Sequence, residues 1–96
     1  MYVKKHVSED RTVVAICDED ILGKKFTKGD IQLEVFESFY GGDKKTDDEV
    51  RELLCTCDNL NIVGKKVVKL ALEVGVVNLQ DVMYIGELPY TLIVGA

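Results

Sequence analysis

Residues 12–17 read Thr-Val-Val-Ala-Ile-Cys, an apolar run in which four of six side chains are β-branched. Such a run predicts a strand buried on both faces and central in its sheet, so the flanking segments must supply its neighbours. Residues 2–7 alternate weakly, with Val3 and Val7 on one face and Lys4 and His6 on the other. They predict a half-exposed edge strand, joined to the apolar run by a hairpin turn at Ser8-Glu9-Asp10-Arg11. After the run, Asp18 to Gly23 predicts one helical turn with Asp18 as its N-cap and Gly23 as its stop. Lys28-Gly29-Asp30 is a turn. Ile31, Leu33 and Val35 then alternate with Gln32 and Glu34 as a strand that ends at Phe39-Tyr40-Gly41-Gly42.

The period changes after Thr46. Thr46-Asp47-Asp48-Glu49 is a capping box, and Val50, Leu53, Leu54 and Cys57 form one apolar stripe. A first helix is expected over 47–57. Asn61 is read as the N-cap of a second helix over about 62–74, stopped at Gly75 with Val76 packing back. Short strands follow over 82–85 and 90–94, with a turn at 86–89. The order is βββααββ. It predicts an α+β fold, a small, mostly antiparallel sheet of about five strands with two helices packed on one face.

The chain has 96 residues, which suits a single domain over 1–96. No apolar run approaches the roughly 18 residues of a membrane helix, so no membrane partner is expected. Three cysteines, an odd number with two only two positions apart, suit a reducing compartment, and a cytoplasmic location is expected. A net charge of −5 argues against gripping nucleic acid by bulk charge. Local contact stays open, because lysines are paired at 4–5, 24–25, 44–45 and 65–66.

Several short pieces, in order along the chain, resemble an archaeal family of uncharacterised conserved proteins, domain-of-unknown-function family 424. They include Ala15-Ile16-Cys17-Asp18 with Leu22-Gly23-Lys24, Gly29-Asp30, Leu33-Glu34-Val35 and Phe39-Tyr40-Gly41-Gly42. Ile62-Val63-Gly64, Ala71-Leu72-Glu73-Val74-Gly75 and Ile85-Gly86 with Pro89 follow. The resemblance implies a cytosolic protein with no established activity and a link to translation. It marks Cys17, Asp18 and Lys24 as a motif site. One departure is Tyr90, which stands where a histidine is expected after the proline.

Three groups of residues are candidates for chemistry. The first is Asn61, Gly64, Lys65 and Lys66. A helix start exposes unpaired amides, Gly64 allows close approach, and two lysines in the first turns oppose the helix dipole unless an anion or an RNA phosphate sits there. The same lysines can simply swing into solvent. The second is Tyr40 with Gly41 and Gly42. By period 2 Tyr40 lies opposite the core-facing residues, where an aromatic can stack on a base or dock a partner. The third is Cys17-Asp18. His6, the one histidine, could serve as its base from a neighbouring strand. Glu19 and Asp20, however, would raise the thiol pKa, which favours a packed structural cysteine. Cys55 and Cys57 point apart on a helix and make a poor metal pair, and the acids at 18–20 lack a calcium ligand ladder, so no metal and no cofactor are expected.

These residues support a non-enzymatic binding module that contacts RNA or a translation protein through Gly64-Lys65-Lys66 and Tyr40. The alternatives are a small enzyme or ligand-binding protein with an anion pocket at the second helix, and a weak homodimer through an edge strand at 2–7 or 90–94. A pocket enclosing Gly64, Lys65 and Asp18 would favour the ligand-binding alternative, and a flat surface the module.

Overall fold

The apolar run at 12–17 becomes the strand around which the rest assembles. The computed structural model describes residues 1–95. In it β1 (Tyr2–Val7) and β2 (Thr12–Cys17) form an antiparallel hairpin running from Val7↔Thr12 to Tyr2↔Cys17. The turn is closed by Ser8, whose amide and hydroxyl both donate to the Arg11 carbonyl, at 2.9 and 3.0 Å. Val14, Ala15, Ile16 and Cys17 are all buried, as expected of a central strand.

A further hairpin, β3 (Lys25–Lys28) and β4 (Ile31–Glu34), leads to a single helical turn, α1 (Glu37–Tyr40). Next come the two-residue β5 (Asp43–Lys44), the helix α2 (Asp47–Thr56), β6 (Leu60–Val63) and the helix α3 (Lys65–Val74). The chain closes with β7 (Met83–Ile85) and β8 (Leu88–Ile93). One six-stranded sheet runs in the order β5-β1-β2-β6-β8-β7, and β3 and β4 pair separately. Its neighbours are antiparallel except β2 and β6, which run parallel in the register Val14↔Leu60 to Cys17↔Val63.

The pleat of β2 and β6 divides the core. Val14, Ile16, Leu60 and Ile62 face α2 and α3, where Val50, Leu54, Val67 and Ala71 meet them. Both helices therefore lie on one face, as predicted. Ala15, Cys17 and Val63 face the other way, toward Ile21, Val35 and Tyr40. That second layer was not foreseen. Among the described residues, no helix is long and apolar enough to cross a membrane.

Four expectations are corrected. Asn61 does not cap a helix. Residues 60–63 are a strand, and α3 starts after Gly64. The β-branched pair Ile62-Val63 fills the sheet between β2 and β8, and this tertiary pairing outweighs the helical spacing of the segment. Tyr40 is not on the surface. Residues 37–40 turn helically rather than extending β4, so the period-2 argument fails, and Tyr40 is 4% exposed. Asp18 caps no turn of its own with its side chain, although a 3-10 turn does follow at Glu19–Ile21. Strand β8 lies between β6 and β7, but β7 reaches only Leu88–Tyr90, so among the described residues Thr91–Ile93 pair with β6 alone. The closing turn is shorter than expected, since Ile85 already faces Leu88.

The start of α2 and the end of α3 follow their sequence signals. The Thr46 hydroxyl accepts from the Glu49 amide at 3.2 Å, and the Glu49 carboxylate accepts from the Thr46 amide at 3.1 Å. At the end of α3, Gly75 is left-handed (φ 80°), and the amides of Gly75 and Val76 return to the Leu72 and Ala71 carbonyls.

Candidate functional site

The carboxyl ends of β2 and β6 lie side by side, and the chain leaves them in opposite directions. From β2 it crosses to the face that carries the β3–β4 hairpin and α1, and from β6 it enters α3 on the other face. A crevice opens where neighbouring parallel strands send their connections to opposite faces, and ligands of open α/β sheets bind in such crevices.

Asp18 is the residue that joins these two strand ends. Its amide donates to the Val63 carbonyl at 3.1 Å, continuing the β2–β6 ladder by one step. Its carboxylate then reaches the first turn of α3. Oδ2 accepts from the Lys66 amide at 2.8 Å and Oδ1 from the Val67 amide at 3.0 Å. These are charge-assisted bonds to otherwise orphaned helix amides, in the field of the helix dipole. Gly64 makes the approach possible. Its φ is 125°, and a β-carbon there would overlap the Asp18 carboxyl group. The helix start that the sequence offers to an external anion thus holds an internal one.

Beside this clamp is a cleft of about 550 Å³, a size typical of small-molecule sites. One wall is the segment after β2. It is tied down where the Gly23 amide donates to the Val35 carbonyl (2.7 Å) and the Val35 amide to the Lys24 carbonyl (2.8 Å). Opposite stand Lys65 and the β7–β8 turn with Gly86 and Glu87. Ile21, Phe26, Ile85 and Leu88 give the cleft its apolar surface. Asp20, Lys24, Lys65 and Glu87 are exposed around it. Lys65 and Glu87 approach to 3.8 Å.

Asp18, Lys24 and Lys65, taken from two separate groups of sequence candidates, therefore meet in one place. Lys66 points elsewhere and pairs with Asp47 on α2 at 3.0 Å. Tyr40 and Asn61 meet beneath the sheet, where the Tyr40 hydroxyl donates to Asn61 Oδ1 at 2.6 Å. Gly42 lies against the backbone of Val3 and Lys4. Sequence reasoning missed Phe26, Thr27 and Glu87. The legible signal was Gly86, whose left-handed turn (φ 59°) sets that wall.

The Cys17 thiol and the Tyr40 phenol are poor nucleophiles. Burial, reinforced by the Asp18 charge, pushes the Cys17 thiol up from 9.0 to about 12. Burial likewise pushes the Tyr40 phenol up to about 12. His6 faces Val13, four positions from Cys17 along β2, or about 13 Å at ~3.3 Å per residue. It stacks on Phe39 with ring centroids 4.4 Å apart, and its Nε2 bonds the Phe39 carbonyl at 2.7 Å. Among the described residues, no three His, Cys, Asp or Glu side chains gather to hold a metal ion.

A family model described as "Protein of unknown function (DUF424)" matches residues 6–95. A crystal structure of an uncharacterized conserved protein from Methanopyrus kandleri is similar to this chain with a TM-score of 0.77 at 23% identity, over 99% of this chain and 92% of that one. At that identity the likeness shows the shared fold. No curated protein matches the chain.

Proposed function

This chain belongs to the DUF424 family of proteins of unknown function, and from that premise we propose that it is a ligand-binding domain whose small-molecule site is the cleft at the carboxyl ends of β2 and β6. The observation that carries this reading is the crevice itself. Two adjacent parallel strands diverge to opposite faces, and between their connections lies a cleft of about 550 Å³ with an apolar surface and a charged rim. The helix-start amides do not supply the recognition, because Asp18 holds them; the lysines, acids and apolar surface of the cleft do. The three free cysteines support a reducing, cytoplasmic setting. Crystals soaked with a fragment library test the proposal. Density for bound fragments is expected between Lys24, Phe26 and Gly86. Fragments that gather elsewhere, or none at all, would overturn it.

A second reading, contact with RNA or a translation protein, is favoured by one observation. Lys24, Lys25 and Lys28 are exposed near or on β3 and take part in no ion pair among the described residues. The chain used as bait in extract, with and without ribonuclease, separates the two partners. Loss of captured translation components on ribonuclease treatment supports RNA, and their survival supports protein. Capture of nothing from that machinery removes this reading.

A further inference from the structure

We propose that the ligand of the cleft is a zwitterion, a small molecule carrying one ammonium and one carboxylate on an apolar body, such as a short apolar dipeptide with free ends. The inference rests on the ligand-binding reading above and deepens it. It is carried by the charge balance of the cleft. Five charged side chains line it: Asp18, Asp20, Lys24, Lys65 and Glu87. Asp18 is already engaged, with both oxygens accepting from α3 amides. The other four are two ammoniums and two carboxylates, all exposed.

None of these four is firmly paired. Lys65 and Glu87 stand 3.8 Å apart with side chains 71% and 93% exposed, well beyond the roughly 2.7–2.9 Å of a charge-assisted hydrogen bond. Lys24 and Asp20 form no ion pair among the described residues. A loose rim of mixed sign selects by complementarity. A polyanion placed here would meet Asp20 and Glu87, and a cation would meet Lys24 and Lys65. A molecule with both charges satisfies both sets, and its apolar body covers Ile21, Phe26 and Leu88. The cleft volume admits a molecule of this size.

The test is amide chemical-shift titration of the intact chain with a panel of apolar dipeptides, their N-acetylated forms, their C-terminal amides, and inorganic phosphate. At least one free dipeptide is expected to shift Lys24, Lys65 and Gly86, and blocking either of its ends is expected to weaken binding about tenfold. Asp20→Asn should weaken the free dipeptide severalfold and shrink the penalty for acetylation, a coupling that general loss of structure would not produce. Blocked forms that bind the cleft equally well, or phosphate alone shifting it, would overturn the zwitterion and leave the ligand site standing. If no free dipeptide binds, the zwitterion also fails, while the fragment soaks decide separately whether the cleft binds ligands at all.

Discussion

Replacing Asp18 with asparagine keeps the shape of the side chain but removes its charge and turns one acceptor into a donor. One of the amides at Lys66 and Val67 then faces an N–H instead of an oxygen. A loss of about 2–3 kcal/mol in urea unfolding is expected, with the Lys66 and Val67 amides exchanging faster. Gly64→Ala should cost a similar amount, about 3 kcal/mol, because its φ of 125° disfavours any side chain and the added carbon would push Asp18 off the helix. If Gly64→Ala unfolds at the native urea midpoint, the clamp is not tight. The buried groups give a pH prediction. Above pH 9.0 the unfolded chain begins to release the Cys17 proton, while the folded chain holds it until about 12. The unfolded state therefore binds fewer protons in that window, and stability falls as pH rises through it. Tyr40 adds to the loss above pH 10.0. Unfolding free energies measured from pH 8 upward should decline, and Cys17→Ala should flatten the decline even if its stability is lower at neutral pH. Asp18 was legible as a polar residue ending an apolar strand. Its partners were not, because they lie 48 and 49 residues away, and the nearby turn offered a local use for the same side chain.

At the scale of elements, the sequence was most readable where local signals and tertiary packing agree. The Thr46–Glu49 capping box and the stripe from Val50 placed α2 almost to the residue. Thr46→Ala should lower stability by about 1 kcal/mol, read as a drop in melting temperature, and an unchanged melting temperature would show that α2 is held by packing alone. The start of α3 was misread because Leu60, Ile62 and Val63 continue into Val67 and Leu70 with helix-like spacing. What makes 60–63 a strand is the open parallel edge of β2 on one side and β8 on the other, and neither is visible locally. The same holds for Tyr40, whose place is fixed by the hydrogen bond to Asn61 across the sheet face. Tyr40→Phe should cost about 1–2 kcal/mol, since it leaves the Asn61 oxygen without its partner.

For the whole molecule, the α+β class and the pairing of both helices on one face followed from the order of elements. The mixed sheet and the second covering layer did not. The mixed sheet depends on β6, the strand hidden between the helices, and the second layer on the β3–β4 hairpin and α1, which leave the sheet instead of extending it. The candidate site was affected in the same way. Lys24 and Lys65 were visible as residues, but only the parallel β2–β6 pair brings the loops that carry them to one crevice, and only the Gly86 turn closes its far side. Asp18 occupies the start of α3, and the neighbouring cleft is the proposed ligand site. Amide chemical shifts of the native chain, recorded with and without a mixture of small fragments and with inorganic phosphate, test both halves at once. Fragments are expected to shift Lys24, Phe26, Lys65 and Gly86, and phosphate to leave Lys66 and Val67 unmoved. Saturable phosphate shifts at Lys66 and Val67, with the cleft residues silent to every fragment, would contradict the account.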